Sequence, residues 1–207
     1  MEAKRISNGL YKVADLFLKL IYINLMWIVF TLVGCIILGF FPATAAMFTV
    51  LKRMREEDML SIFKTFWHAF KTEFLKANGL GSILILAGLL LLINFKIVFF
   101  SELSGQFIIS GGMFVFLLIF LVVCLYFFPV YVHLKVPFFQ FFKTVLFVSF
   151  ISPLTTLMMI SVTAGILYLL LMYPGYIPIL GASIIGTALI WVSNRAFLKI
   201  ERLTETN

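Results

Sequence analysis

The stretch LGSILILAGLLLLINFKIVFF, residues 80–100, carries only one charged side chain, Lys96. A membrane-spanning α-helix needs about 20 consecutive, mainly apolar residues, and this stretch reaches that length by itself. Three further runs of the same kind lie at residues 107–131, 153–173 and 177–194. The four runs together predict an all-α protein whose helices cross a lipid bilayer several times.

The composition of the whole chain also indicates a lipid environment. Of its 207 residues, 63% are apolar and 12% are charged, whereas a soluble domain is about half apolar and about a quarter charged. A domain of this size leaves much of its surface exposed, so water would meet a large apolar area. We therefore predict one helical membrane domain over residues 1–207, with the lipid bilayer as its first partner.

A fifth apolar run, residues 16–51, is too long for one crossing and barely long enough for two. Within it stands GFFPATAA, residues 39–46. Proline has no N–H to donate and fits the first turn of a helix. We therefore predict a span at residues 18–40, a break, and a short or re-entrant helix at 42–55 that begins at Pro42.

The segment before the next span, residues 58–76, has the pattern of an amphipathic helix. Its apolar residues recur at steps of three and four, which places them on one side of a helix: Leu60, Phe63, Trp67, Phe70 and Phe74. Lys64, His68 and Lys71 fall on the opposite side, and Asp58 is expected to cap the start. Such a distribution is typical of a helix that lies in the membrane interface.

Two interpretations of this helix stay open. It is an elbow that lies on the cytoplasmic surface and connects two spans, or Lys64, His68 and Lys71 form a docking surface for a cytoplasmic partner. Residues 137–149 are expected to form a smaller helix of the same kind.

The distribution of basic residues predicts the orientation. Lysine and arginine gather on the cytoplasmic side of membrane proteins, and the chain has 16 of them. If the helix at 42–55 returns through the membrane, all except Lys96 lie on one side. If it does not, the four basic residues up to Lys19 join Lys96 on the other side, which leaves 11 against five. We therefore expect both terminal segments, 1–17 and 195–207, on the cytoplasmic side of a bacterial cytoplasmic membrane.

Two short motifs of the N-terminal half recur in the C-terminal half of the chain. Phe-Phe-Pro stands at residues 40–42 and 127–129, and Phe-Lys-Thr stands at residues 63–65 and 142–144. An internal duplication would explain the pairs, and inverted repeats are common in membrane folds. Chance matches between phenylalanine-rich helices are the alternative explanation, so both hypotheses stay open.

The chain lacks the residue patterns that carry catalysis. It contains no phosphate-binding loop, no Gly-x-Ser-x-Gly and no His-Glu-x-x-His, which excludes several ATPase and hydrolase signatures. Two histidines and two cysteines, far apart in sequence, do not have the spacing of a zinc site. We therefore predict no catalytic residue, no cofactor and no metal, and a protein that is not an enzyme.

Ionisable and polar residues inside the predicted spans are few. The carboxylates all fall at or outside the predicted membrane edges, which argues against a proton-coupled carrier. Asn24 and Asn94 are predicted to make hydrogen bonds between helices. The basic residues flank the spans, where anionic lipid headgroups and not nucleic acid are the nearer partner.

Several N-terminal motifs resemble the YesL-like family of membrane proteins from Gram-positive bacteria. They are Asn24-Leu25-Met26-Trp27, the GFFPATAA segment, Lys52-Arg53, and the aromatic helix that runs into Lys76-Ala77-Asn78. Genes of this family often lie beside carbohydrate ABC importers and glycoside hydrolases. The resemblance implies an accessory component of carbohydrate ABC import, with transporter subunits as partners, and it carries over no catalytic residue. A small stand-alone membrane transporter is the alternative.

Overall fold

Apolar runs of the predicted kind form helices in the computed structural model, which describes residues 2–57, 59–100, 106–134 and 136–205. The α-helices of these ranges are α1 (Glu2–Val33), α2 (Ile37–Glu56), α3 (Ile62–Phe99), α4 (Gln106–His133), α5 (Phe141–Ile151), α6 (Pro153–Met172) and α7 (Ile177–Glu205). Two 3-10 turns, Phe138–Gln140 and Pro174–Tyr176, precede α5 and α7. All of the α-helices except α5 are long and apolar enough to cross a membrane, which confirms the predicted class of multi-pass helical membrane protein.

The break between α1 and α2 lies earlier than predicted. Gly34, Cys35 and Ile36 separate the helices, and the last two have positive φ angles of 57° and 63°. Two glycines make the turn tight, since a Cβ on Gly34 would stand 2.3 Å from the Cα of Gly39. The prediction that the second helix begins at Pro42 is therefore wrong: α2 begins at Ile37 and is a full 20-residue helix with this proline inside it.

The centre of the bundle is α2. It is the most buried of the candidate spans, and almost every side chain from Gly39 to Leu51 is buried. Ala43, Ala45 and Ala46 are fully enclosed, and such small side chains let neighbouring helices approach closely. The residues around Pro42 therefore form the packing centre on which the other helices are placed.

A single helix, α3, replaces two predicted elements. The interfacial helix at 58–76 and the span at 80–100 join into 38 continuous residues, about 57 Å at 1.5 Å per residue. Gly81 at the junction serves packing, because a Cβ there would stand 2.3 Å from the ring of Phe41. Asp58 lies outside the described residues, and Ser61 occupies the N-cap position of α3.

The two Phe-Phe-Pro segments meet in the core. The ring centroid of Phe41 lies 6.2 Å from that of Phe127 and 6.4 Å from that of Phe128, and Phe48 stacks on Phe128 at 5.2 Å. The prolines occupy different places, since Pro42 lies near the start of α2 and Pro129 lies near the end of α4. The repeated motif therefore marks a contact between α2 and α4.

The C-terminal helices differ from prediction in length. Residues 137–149 form a 3-10 turn followed by α5, and Ser152 alone separates α5 from α6. The predicted span at 177–194 lies within α7, which continues beyond it through Glu205. What was predicted as a separate tail, 195–207, is helical over its described residues.

Contacts place Lys19 of α1 and Ile190 of α7 beside the end of α2. Lys19 of α1 shares a cavity with Ser61, which precedes α3. Arg55, at the end of α2, donates a hydrogen bond to the carbonyl oxygen of Ile190 in α7 at 3.4 Å. Both α1 and α7 therefore contact the region where α2 ends and the connection to α3 begins. The side of the membrane on which this end lies stays a prediction.

Candidate functional site

The first half of α3 presents the predicted cationic residues to the outside of the bundle. Lys64, His68 and Lys71 are all exposed, and we call these three residues the α3 cationic face. The ammonium group of Lys71 lies 4.1 Å from the ring centroid of Trp67, a cation–π contact that orients its side chain. The face is therefore a patch of charge beside an aromatic ring.

The opposite side of the same segment is fixed to α1 by aromatic rings. Phe30 of α1 lies 5.0 Å from Phe66, 5.1 Å from Phe70, 5.5 Å from Trp67 and 6.5 Å from Phe63, measured between ring centroids. The buried side of α3 is not centred where the sequence placed it. Phe66 is fully buried, whereas Phe63 is 49% and Trp67 is 40% exposed.

Asn24 connects α1 to α7 through three hydrogen bonds. Its Nδ2 donates to the carbonyl oxygen of Pro178 at 2.7 Å, and its Oδ1 accepts from the N–H groups of Ala182 and Ser183 at 3.1 and 3.2 Å. The Pro178 carbonyl and the Ala182 N–H are the pair that a regular helix would join to each other. The buried amide of Asn24 therefore forms hydrogen bonds with the backbone of a neighbouring helix.

Among the residues that the structure describes, Asn94 makes no such bridge between helices. It lies on the exposed side of α3, and its Nδ2 donates to the carbonyl oxygen of Leu90 in its own helix at 2.7 Å. The sequence placed Asn24 and Asn94 in one class because both are amides inside apolar runs. What distinguishes them is the neighbouring helix, which the sequence does not show.

Three side chains make hydrogen bonds to backbone carbonyl oxygens at the end of α4. Lys52 donates to the carbonyl oxygen of Val132 at 3.3 Å, and Lys76 donates to that of Val136 at 3.2 Å. His133 places Nδ1 3.0 Å from the carbonyl oxygen of Pro129, which requires a proton on Nδ1. Cations near a helix C-terminus are favourable because they oppose the negative end of its dipole. These groups therefore hold the end of α4.

A polar cavity of about 180 Å³ opens beside this cluster, between the ends of α2, α4 and α7. Lys52, Glu56, His133 and Asn194 line it, and the His133 ring stacks on Phe197 at 4.4 Å. The sequence does not reveal this cavity, because its lining residues are far apart along the chain. Its volume is below the roughly 300 Å³ at which small-molecule sites begin.

One carboxylate lies deeper than its place in the sequence suggested. Glu73 of α3 is half-buried, and its Oε2 accepts a hydrogen bond from the hydroxyl of Tyr131 in α4 at 2.5 Å. The ammonium group of Lys76 lies 5.4 Å from the same tyrosine ring. Together these groups connect the first half of α3 to the end of α4.

The part of the chain that the structure describes brings no three histidine, cysteine or acidic side chains together as a metal-binding group. Its two cysteines are free: Cys35 is exposed in the turn before α2, and Cys124 is half-buried in α4. The predictions that the protein has no catalytic residue and no cofactor stay predictions.

Comparison with known proteins supplies relatives but no activity. Residues 20–95 match a family described as "Protein of unknown function, DUF624". The chain is 32% identical over 200 residues to the uncharacterized protein YesV of Bacillus subtilis (strain 168), with 95% of each chain covered. It is 31% identical to YteU of the same organism (89% of this chain, 83% of YteU) and 31% identical to YesL (97% and 95%). No solved structure matches the chain.

Proposed function

This chain belongs to the family of membrane proteins that includes YesL, YesV and YteU, and we propose that it is an accessory component of carbohydrate ABC import without catalytic activity of its own. In this proposal it binds transporter subunits at the cytoplasmic surface of a bacterial cytoplasmic membrane. The link to carbohydrate import comes from the gene neighbourhoods of the family.

The observation that carries the proposal is the α3 cationic face. Lys64, His68 and Lys71 are exposed on a helix whose other side is fixed to Phe30 of α1. A rigidly supported cationic patch favours a partner with an acidic surface, since complementary charge accelerates encounter and fixes register. Because the supporting helix is anchored, binding would not require this segment to fold first.

The packing of the bundle centre favours an accessory protein over a carrier. Rings of Phe41, Phe48, Phe127 and Phe128 contact one another where α2 meets α4, and buried alanines of α2 lie beside them. A carrier needs a polar site near the middle of its bundle. The polar cavities beside Lys52 and beside Ser61 lie instead at the ends of helices.

The orientation in this proposal places the α3 cationic face toward the cytoplasm. It is supported by the basic residues, of which all but Lys96 fall on one side when α2 returns through the membrane. It is also supported by contacts near the end of α2, where Lys19 of α1 lines a cavity with Glu57 and Arg55 donates a hydrogen bond to Ile190 of α7.

Affinity purification of the tagged protein in a mild detergent tests the proposal. We expect a permease or ATPase subunit of a carbohydrate ABC importer to co-purify with the unaltered chain. The variant Lys64→Gln/His68→Gln/Lys71→Gln should lose that subunit at unchanged membrane yield. The control variant Lys12→Gln/Lys143→Gln removes two exposed lysines on other helices and should retain it.

Two outcomes would contradict the proposal. One is co-purification that the triple variant leaves unchanged. The other is the absence of ABC subunits combined with transport of a sugar by the protein when it is reconstituted alone in liposomes, which would establish a stand-alone transporter.

A further inference from the structure

The apolar stretch that contains α5 and α6 is interrupted in its middle. α5 ends at Ile151 and α6 begins at Pro153, and Ser152 between them has non-helical angles, φ −127° and ψ 65°. Backbone groups that leave a helix where water is excluded need partners from protein or from a cavity. Interrupted helices also line the ligand sites of many membrane transporters. The hydrogen-bonding groups around Ser152 are therefore a place to look for a ligand site.

Hydroxyl groups gather at this interruption. The hydroxyl of Thr156 donates to the carbonyl oxygens of Ser149 and Ser152, each at 3.2 Å. The hydroxyl of Tyr126 in α4 lies 3.1 Å from Thr156 Oγ1 and is the donor of that pair, since the threonine hydrogen is already used. Ser149 donates to the carbonyl oxygen of Leu146 at 2.7 Å. All of these hydroxyl hydrogens are therefore committed to protein acceptors.

Ser152 is the exception in this cluster. Its side chain is 4% exposed, and its hydroxyl oxygen has no hydrogen-bond partner among the described residues. A buried hydroxyl without a partner is costly, by about 1–3 kcal/mol. Ser149, three residues before it, and Pro153, directly after it, both line a cavity.

That cavity has a volume of about 370 Å³ and lies between α4, α5 and α6. Ser149 and Thr156 contribute its polar lining, and the rest is mainly aliphatic, including Val122 and Leu146. The volume falls within the roughly 300–1,000 Å³ of small-molecule sites. Leu157 in its lining is more than half exposed, so the cavity opens on the side of the bundle that faces lipid.

We propose that this cavity binds a lipid-soluble alcohol, a molecule with an apolar chain or ring system and a single hydroxyl group, which enters from the bilayer. The aliphatic lining excludes a sugar or a charged metabolite, because burying unpaired polar groups there is costly. Ser149 Oγ has already donated its hydrogen, so it accepts from the ligand. An ionised carboxylate has no hydrogen to donate and does not fit. This site is independent of the α3 cationic face.

Photolabelling in liposomes of defined phospholipid composition tests the site. The probes are a hexadecanol that carries a diazirine in its chain and the methyl ether of the same molecule. We expect the alcohol to label the peptide around residues 146–157 about fivefold more than the ether at equal concentration, the ratio for one net hydrogen bond. The ether can accept a hydrogen bond but has no hydrogen to donate. The comparison therefore isolates the contribution of the hydroxyl hydrogen of the ligand.

Substitutions locate the labelling. Leu157→Trp fills the cavity and should reduce labelling by the alcohol to background. Leu171→Trp, at an exposed position further along α6, should leave it unchanged. Ser149→Ala should lower labelling by the alcohol to the level of the ether without changing that of the ether. If Leu157→Trp lowers the melting temperature relative to Leu171→Trp, Leu118→Trp on the opposite wall of the cavity replaces it.

Equal labelling by alcohol and ether overturns the proposal, because the cavity would then be an ordinary lipid-facing groove. Labelling by the alcohol that persists in both cavity-filling variants also overturns it, since the probe would then be bound elsewhere.

Discussion

Asn78 of α3 donates a hydrogen bond from Nδ2 to the carbonyl oxygen of Leu38 in α2 at 2.9 Å. This carbonyl is the one that Pro42 leaves without its regular partner, because a helical carbonyl bonds the N–H four residues later and proline has none. Asn78 also donates to the carbonyl oxygen of Phe74 in its own helix at 3.0 Å. The Asn78 amide thus supplies the hydrogen-bond donor that Pro42 lacks, and it connects α2 to α3.

This relationship predicts the effect of replacing Asn78. Asn78→Leu leaves the Leu38 carbonyl unpaired in an apolar setting, so the free energy of unfolding should fall by about 1–3 kcal/mol. Unfolding in detergent micelles, followed by tryptophan fluorescence against added denaturing detergent, measures the change.

A double-mutant cycle with Pro42→Ala supplies the control. Alanine restores the N–H at position 42, so the Leu38 carbonyl regains a partner within α2. Asn78→Leu should then cost much less in the Pro42→Ala background than in the unaltered chain. Equal costs in the two backgrounds would show that the amide stabilises α3 alone.

Asn24 provides a second test of polar contacts between helices. We expect Asn24→Leu to lower the free energy of unfolding by about 1 kcal/mol, within the range found for interhelical hydrogen bonds in membranes. The loss stays small although three bonds disappear, because Pro178 and Ala182 regain each other as partners within α7. Asn94→Leu, an exposed amide that bonds its own helix, is the matched control and should change stability little.

The cluster around Phe30 predicts an order of stability among aromatic substitutions. Phe66 is fully buried and Phe63 is half-exposed, although both contact the same ring of α1. Phe66→Ala should cost about 3–5 kcal/mol by leaving a cavity, and Phe63→Ala should cost less than half as much. Melting temperatures of the two variants in the same detergent give the comparison. A larger loss for Phe63→Ala would place the buried side of α3 where the sequence pattern put it.

Much of the fold is readable from the sequence because the bilayer sets the length of a span. The runs at 80–100, 107–131 and 153–173 were recognisable from length and apolarity alone, and helices cover nearly all of them. The length of α3 was less accessible. Charged residues between 64 and 76 suggested a separate interfacial element, yet no proline interrupts residues 62–99, and Gly81 permits contact with Phe41.

The features that the sequence did not reveal depend on partners distant along the chain. A proline in the second turn of a helix is unfavourable because it leaves a backbone carbonyl without its regular donor. It is tolerated in α2 because Asn78 donates a hydrogen bond to the Leu38 carbonyl. The polar cavity has the same origin, since Lys52, His133 and Asn194 meet only after folding. The exposed Lys64, His68 and Lys71 were accessible from helical periodicity, because it requires no knowledge of neighbours.

The orientation of the chain gives the last prediction, and Cys35 is its natural reporter. This cysteine is exposed in the turn between α1 and α2. The turn lies at the opposite end of α2 from the connection to α3, about 30 Å away along a 20-residue helix, which matches the thickness of the hydrocarbon core. If both termini are cytoplasmic, Cys35 therefore faces the outside.

A membrane-impermeant maleimide added to intact cells should label Cys35 in a Cys124→Ala background. In a chain that also lacks Cys35, a cysteine placed at Lys4 or at Arg202 should react only after the cells are permeabilised. Labelling at Lys4 with protection at Arg202 in intact cells would instead mean an odd number of crossings, and would remove the cytoplasmic orientation from the proposed function. Protection of Cys35 together with labelling at both terminal positions would invert the topology and place the α3 cationic face outside the cell.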